Sequence, residues 1–195
     1  MSLDQTRINE QQDVYDAIIV GLGAAGVGVG VALTHAGVSN FLAVDRHGVG
    51  ASFDRWPSEM RFITPSFPTN SVGMLDINSI AIGASPAFGL QVEHPTGKQY
   101  ASHLRGVADF FELPMKTDVN VTEITEIDGV FHLTTDSETL RAKHVIWAAG
   151  EFQYPMKNSF EGSVICRHTA TVSSYKQLQG DDFIIIGGYE SGIDA

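Results

Sequence analysis

The chain has 195 residues, of which 43% are hydrophobic and 18% charged, so it is long enough to bury a core without disulfides or structural metals. Its formal net charge is −11, and its twelve Lys and Arg residues are scattered rather than clustered. That charge argues against a nucleic acid or an anionic membrane as a partner, because neither would meet a basic surface.

The cysteine content and the N-terminal sequence narrow the class of protein further. Cys166 is the single cysteine, which excludes an intrachain disulfide, a CxxC redox pair and a cysteine zinc site. We expect its thiol to be buried and inert. Residues 1–13 are polar and do not resemble a signal peptide, so we expect a disordered leader. No apolar run approaches the length of a membrane span, and we expect a cytoplasmic protein.

The first predicted elements are a strand over 15–20 and a helix over 24–36, joined by a glycine-rich loop. The loop reads Gly21-Leu22-Gly23-Ala24-Ala25-Gly26. In this pattern Gly21 allows a tight turn, Gly23 lets the backbone approach a pyrophosphate, and Gly26 lets the helix pack against the strand. Phosphates bind the free N–H groups at such a helix N-terminus.

A second strand, predicted over 40–45, ends on Asp45, nineteen residues past Gly26. A carboxylate at this strand end can accept hydrogen bonds from ribose hydroxyls. The complete unit of strand, glycine loop, helix, strand and Asp predicts dinucleotide binding far more specifically than the glycines alone. The helix over 24–36 is almost entirely Ala, Val, Gly and Leu, so we expect it to be buried on most faces.

The middle of the chain combines an irregular region with a β-rich one. Residues 50–95 are broken by five prolines, which predicts a functional loop region. Apolar spacing predicts a helix over 97–112. Alternating apolar residues then predict short antiparallel strands over 118–127, 130–135 and 139–141, with a hairpin turn at Asp128-Gly129.

The last third of the chain contains a second glycine motif. Residues 143–150 predict an apolar strand ending in Ala148-Ala149-Gly150, residues 151–180 are irregular, and Phe183 to Ile186 predict another buried strand. The sequence that follows is Gly187-Gly188-Tyr189-Glu190-Ser191-Gly192. It resembles the opening of a second strand–loop–helix unit, although Tyr189 replaces the second glycine and would crowd a phosphate. Alternatively, this segment is simply the last strand of the first domain.

With these motifs placed, the chain resembles the flavin-dependent monooxygenase-like branch of the two-dinucleotide-binding-domain FAD/NAD(P) oxidoreductases, over the N-terminal part of such a protein. The resemblance implies an α/β fold. That fold comprises a Rossmann-like FAD-binding domain with a parallel sheet, an antiparallel β insertion, and the truncated start of a second dinucleotide-binding domain. It also implies a leader over 1–13, the FAD-binding domain over 14–155, and a linker with the opening of an incomplete NAD(P)-binding domain over 156–195.

The resemblance also assigns candidate site residues. Those for FAD are Gly21, Gly23, Ala24, Ala25, Gly26, Asp45, Arg46, Trp56, Val121, Ala149 and Gly150. Those for NAD(P)H are Gly187, Gly188, Ser191 and Gly192. Core packing explains Trp56 about as well, and Val121 better. The monooxygenase linker pattern FxGxxxHxxx(W/Y) is matched in part by Phe160, Gly162, His168 and Tyr175, with His168 two positions late.

The function implied is that of the FAD-binding portion of an NAD(P)H-dependent flavoprotein oxidoreductase, monooxygenase-like, acting on a small-molecule substrate. Catalytic residues are not assigned, and with one complete site these residues alone are not expected to turn over. Two alternatives stay open: a non-catalytic dinucleotide-binding module or inactive fragment, and an NAD-dependent dehydrogenase. The long loop over 50–95 and the hairpin over 118–142 favour FAD.

Two further expectations concern metals and association. The seven histidines lack the spacing of metal ligands, so no metal site is expected. An exposed strand edge and an unfinished helix at the C-terminus predict possible self-association.

Overall fold

The computed structural model describes residues 14–67, 76–151 and 153–195. The predicted leader over 1–13 and part of the long loop, 68–75, lie outside the described residues. The strands are β1 (Val14–Val20), β2 (Phe41–Val44), β3 (Met115–Lys116), β4 (Val121–Ile127), β5 (Val130–Thr135) and β6 (Thr139–Trp147). The helices are α1 (Ala24–His35), α2 (Ala51–Asp54), α3 (Pro86–Leu90), α4 (Gly97–Phe110) and α5 (Glu190–Asp194). Three 3-10 turns cover Ser163–Ile165, Thr169–Thr171 and Tyr175–Gln177.

By their contacts the described residues fall into two compact units. The first unit comprises 14–49 and 104–150, and the second unit comprises the described parts of 50–103 and 151–195. The predicted division into domains over 14–155 and 156–195 stays a prediction. In the described part of the chain, no helix has both the length and the apolar character needed to cross a bilayer.

The first unit is built on one sheet with the strand order β3-β2-β1-β6-β5-β4. Strands β3, β2, β1 and β6 are parallel, whereas β5 and β4 continue the sheet antiparallel. Val20 of β1 lies opposite Val44 of β2 and Trp147 of β6. The carboxyl ends of these three strands therefore meet at one edge, and the residues that follow them are brought together.

The sheet is strongly curled. Its two edge strands, β3 and β4, are joined by only residues 117–120, a link that can span about 17 Å. A flat sheet of six strands would separate its edges by about 24 Å. The antiparallel strands therefore fold over one face of the parallel ones. One core cluster accordingly draws on both parts and comprises Ile18, Val20, Leu42, Val44, Leu133, Leu140 and Ala142. The predicted α/β fold with an antiparallel insertion is confirmed.

Helix α1 differs from the expectation of burial on most faces, which is wrong. Its buried residues are Gly26, Val27, Gly30 and Val31, which form a single stripe. The small residues serve close approach instead: a Cβ built on Gly30 would lie 2.9 Å from the Leu113 side chain. Low side-chain volume here permits tight packing on one face and does not imply burial on the other faces.

Strand β6 is continuous, although the sequence predicted separate strands over 139–141 and 143–150. The polar residues Arg141 and Lys143 break the apolar pattern, but the Lys143 ammonium lies 2.6 Å from the Asp16 carboxylate. The first half of β6 pairs with β5, and most of its length pairs with β1. Strand β3 was not predicted because it has only two residues and is defined by its pairing with β2.

The second unit contains short elements and the first half of helix α4. Thr96 and Gln99 cap the beginning of α4 reciprocally. The Gln99 backbone N–H donates to Thr96 Oγ1 at 3.3 Å, and the Thr96 backbone N–H donates to Gln99 Oε1 at 2.9 Å. Residues 183–186 were predicted as a buried strand, and that is wrong. They have no partner strand among the described residues, and their exposed fractions run from 53% to 92%.

Candidate functional site

The turn after β1 requires glycine at two positions. Gly21 has φ +111°, and a Cβ built on it would lie 2.3 Å from the Ala148 carbonyl oxygen. A Cβ on Gly26 would lie 1.8 Å from the Gly21 carbonyl oxygen. The start of α1 is therefore packed against the turn itself, and the turn is packed against the residues that follow β6. No other residue type fits either position without moving backbone.

Gly23 is a glycine for a different reason. It is the N-cap of α1 with φ −76° and ψ −168°, a conformation open to any residue. A Cβ built on it would meet nothing within 4 Å. The protein itself therefore does not require glycine here, and its absent side chain leaves open space in front of the helix N-terminus. Gly23 has no side chain to cap the helix, so the first N–H groups of α1 stay available to a ligand.

Asp45 follows β2 and binds the glycine turn directly. Its Oδ2 accepts a hydrogen bond from the Leu22 amide at 2.9 Å. Its Oδ1 accepts from the His47 amide at 2.7 Å and from the Gly48 amide at 2.9 Å. A carboxylate can accept about four hydrogen bonds, so Asp45 holds two loops together and retains acceptor capacity. It is half-exposed, so this remaining acceptor capacity is open to solvent.

Other predicted residues of the first unit gather at the same edge of the sheet. The Ala148 amide donates to the Val20 carbonyl at 2.8 Å, which places the following Ala149 and Gly150 beside the turn. The remaining candidates here are Ala24 and Ala25, in the first turn of α1, and Arg46, which is half-buried directly after Asp45.

Val121 packs against the core cluster of the sheet, and so does Val119, two residues before it. The residue that lies beside Asp45 is instead Val119, whose amide donates to the Asp45 carbonyl at 3.0 Å. Sequence reasoning missed Val119, because its place depends on the short strand β3 that precedes it.

Trp56 lies in the second unit, within a cluster of aromatic side chains. Its ring centroid is 5.1 Å from that of Phe53 and 5.3 Å from that of Phe62. Gly97 permits this packing, since a Cβ there would lie 2.3 Å from the Phe53 carbonyl oxygen and 2.9 Å from the Trp56 Cβ. Trp56 is half-buried, and its predicted position near a flavin stays a prediction.

The second glycine motif forms a turn of the same shape as the first. Gly187 has φ +106°, and a Cβ on Gly192 would lie 2.5 Å from the Gly187 carbonyl oxygen. Tyr189 is the N-cap of α5, with φ −88° and ψ −176°. Its side chain is 83% exposed, where the first turn has only the hydrogen of Gly23. Gly188 and Ser191 are exposed positions of this turn.

A buried polar network lies elsewhere in the second unit. Asp76 accepts hydrogen bonds from the Asn78 amide at 3.0 Å and the Ser85 hydroxyl at 2.7 Å, and the Tyr100 hydroxyl donates to the Asn78 carbonyl at 2.8 Å. Burial, reinforced by the Asp76 charge, raises the pKa of Tyr100 to about 12. Burial also lowers the pKa of His103. Tyr100 therefore takes part in this network as a neutral phenol.

Two expectations from the sequence concerned the thiol of Cys166 and metal binding. Cys166 is exposed, so the expectation of a buried thiol is wrong; it lies in an irregular segment that packs little of its surface. Across the described ranges, no three His, Cys, Asp or Glu side chains converge as metal ligands would.

A parallel strand, a glycine turn that opens a helix, and a carboxylate at the next strand end define a dinucleotide-binding domain of the Rossmann type. The chain belongs to the pyridine nucleotide-disulphide oxidoreductase family, whose model matches residues 18–195. The match begins within β1 and includes both glycine turns.

Individual proteins resemble the chain more distantly. An uncharacterized oxidoreductase, CzcO of Bacillus velezensis, is 26% identical over 190 residues, covering 92% of this chain and 50% of the relative. The bacillithiol disulfide reductase Bdr (YpdA) from Staphylococcus aureus matches with TM-score 0.61 and 16% identity, over 80% of this chain and 44% of that one. A structure of OTEMO in complex with FAD and NADP matches with TM-score 0.58 and 17% identity, over 78% and 28%. The chain thus spans about half the length of the curated relative.

Proposed function

We propose that this chain is the FAD-binding portion of an NAD(P)H-dependent flavoprotein oxidoreductase. The observation that carries the proposal is Gly23, a glycine that the fold does not need, placed at a helix N-terminus beside the Asp45 carboxylate. Open space at that position fits a pyrophosphate, which approaches the backbone more closely than a side chain would allow. Family membership and the FAD and NADP named for OTEMO support the same cofactors.

Each part of the turn has a defined task in this proposal. The free N–H groups at the start of α1 would hold the pyrophosphate, and the remaining acceptor capacity of Asp45 would hold a ribose hydroxyl. Residues 148–150 and Val119 would border the cofactor on either side of the turn. FAD, when bound, supplies the redox chemistry, and the protein supplies binding, orientation and electrostatics.

The finer assignment concerns the second half of such an enzyme. The turn over Gly187 to Gly192 is proposed to open an NAD(P)-binding domain in the complete protein, which supports NAD(P)H as the electron donor. The partial linker match at Phe160, Gly162 and His168 supports a monooxygenase-like enzyme acting on a small-molecule substrate. Dithiol chemistry is not proposed, because Cys166 is the single cysteine of these 195 residues.

The visible absorption spectrum of the purified chain, taken after incubation with FAD and desalting, tests the proposal. We expect the wild-type chain to retain a flavin spectrum and Gly23→Val to lose it. Gly106→Val is the matched control, because Gly106 is exposed on α4 and a Cβ there also meets nothing within 4 Å. A colourless wild-type chain, or full flavin occupancy in Gly23→Val, would overturn the proposal, and NADH retention instead would favour the dehydrogenase alternative.

A further inference from the structure

Two segments of the second unit, 57–60 and 173–175, are tied together across more than a hundred residues of sequence. The Ser174 hydroxyl donates to Glu59 Oε1 at 2.7 Å, and the Tyr175 amide donates to Glu59 Oε2 at 3.0 Å. A backbone hydrogen bond lies beside them, from the Ser58 amide to the Ser173 carbonyl at 3.0 Å. Both carboxylate oxygens of Glu59 are therefore engaged by one short piece of the linker. We call these three hydrogen bonds the Glu59 clasp.

The clasp depends on the ionised form of Glu59. The Ser174 hydroxyl, and after it the Tyr175 amide, lower the pKa of Glu59 to about 2, against an opposing effect of burial. Hydrogen bonds to a carboxylate are stronger than those between neutral groups. The residue is half-buried, which protects these hydrogen bonds from competition with water. Glu59 therefore holds the linker as an anion at every pH near neutrality.

In the sequence, the clasp lies near two other features, the second glycine turn and Trp56. Tyr175 lies twelve residues before Gly187, so the clasp is close to the start of the second glycine turn. Beyond it, the exposed apolar segment 183–186 has no partner strand among the described residues. At the other end of the clasp, Glu59 lies three residues after Trp56, whose ring is fixed by its aromatic neighbours.

We propose that Glu59 is a positioning residue that fixes the path of the linker ahead of the second glycine turn, through Ser174 and Tyr175. The inference rests on the proposed function, because a fixed path matters only if Gly187 to Gly192 leads into an NAD(P)-binding half. Fixing the linker at residues 174–175 limits the reach of the segment that follows, since twelve residues span at most about 40 Å. The clasp thereby reduces the conformational entropy lost when that half docks.

Hydrogen exchange of the 195-residue chain, incubated with FAD, tests the clasp. In Glu59→Ala both acceptor oxygens are lost, so we expect the Tyr175 backbone amide to exchange about tenfold faster. Ser174→Ala removes one donor, and we expect a smaller increase of about threefold. Ser173→Ala is the matched control, because the Ser173 hydroxyl donates to Gln177 and not to Glu59; its Tyr175 amide should exchange as in the wild type.

A titration separates positioning by the clasp from a general effect on stability. Followed by NMR at the side-chain carboxyl carbon, the pKa of Glu59 should be higher in Ser174→Ala than in the wild type and unchanged in Ser173→Ala. Unchanged Tyr175 exchange in Glu59→Ala, equal effects of the two serine variants, or faster exchange throughout the second unit would each overturn the clasp. Flavin retention is read separately on the same samples: its absence in the wild type defeats the proposed function, whereas normal retention with unchanged Tyr175 exchange defeats the clasp alone.

Discussion

The two glycine turns have nearly the same backbone geometry in very different surroundings. Gly21 and Gly187 have φ values of +111° and +106°, and the third glycine of each turn packs against the carbonyl of the first. Strand β1 is paired on both sides, whereas residues 183–186 have no partner strand within the described chain. The comparison teaches that the turn geometry is encoded locally by the glycines, while burial of the preceding strand depends on distant parts of the chain.

The turns also differ at the position where a ligand would approach. Gly23 leaves open space, and Asp45 ties that turn to the next strand end. The second turn carries the Tyr189 side chain at the equivalent position. The first turn therefore combines open space at its helix N-terminus with a neighbouring carboxylate, whereas the second turn shares only its backbone shape.

The largest expected difference between the turns concerns their first glycines. Gly21→Ala should lower the free energy of unfolding by about 3 kcal/mol or more, because left-handed strain adds to a clash with the Ala148 carbonyl. Gly187→Ala has the strain but meets nothing within 4 Å, so we expect about 1 kcal/mol, confined to the C-terminal segment. Urea denaturation measures both variants. Equal losses of the free energy of unfolding in the two variants would contradict this difference between the turns.

Asp45 provides the next test. Removing the carboxylate in Asp45→Ala should weaken FAD binding by about 1–3 kcal/mol, or roughly 5- to 150-fold in Kd, because charge-assisted hydrogen bonds to ribose and to the turn are lost. A flavin fluorescence titration measures the effect, with Asp109→Ala on the exposed side of α4 as the control. Wild-type affinity in Asp45→Ala would remove Asp45 from the ribose site.

Acid should affect the second unit through His103. Its pKa in the folded state is lowered by burial, and its Nε2 has no hydrogen-bond partner in the described structure. The unfolded chain therefore binds a proton at His103 more readily than the folded chain does. The contribution of His103 to the free energy of unfolding is fully present above the ordinary pKa of about 6.5 and falls as the pH decreases below it. The slope is at most about 1.4 kcal/mol per pH unit for one proton. In His103→Gln, the thermal unfolding temperature should no longer show this part of the pH dependence between pH 5 and 8.

The smallest expected effect is at Tyr189. Because this side chain is largely exposed, Tyr189→Gly should change the free energy of unfolding by less than about 0.5 kcal/mol and leave FAD retention unchanged. Differential scanning calorimetry and the flavin spectrum measure the two quantities. A loss of flavin would mean that the two turns are coupled in cofactor binding.

Local patterns were enough to predict much of this molecule. The strand before Gly21, the helix after Gly23 and the strand ending at Asp45 each depend on a short run of residues with one periodicity, and all three are present. The family resemblance was confirmed for the same reason, since the glycine motifs that carry it are local. The individual roles of the site residues in binding a cofactor stay predictions.

What the sequence could not predict depends on distant partners. Strand β3 exists because β2 lies beside it, and Val119 reaches Asp45 only by way of β3. The exposure of residues 183–186 and of Cys166 could not be predicted either, because apolar composition indicates a tendency to be covered and not the presence of a cover.

The pairing of β1 with β6 has a consequence for the order in which the polypeptide folds. Val20 of β1 lies opposite Trp147 of β6, so these paired residues are 127 positions apart in the sequence. A ribosome adding about 5–20 residues per second needs roughly ten seconds to make that stretch. During that time β1 and the first glycine turn have no β6 to pair with, and the turn cannot close against Ala148. The edge of the sheet that holds the first glycine turn is therefore completed only after β6 has been made.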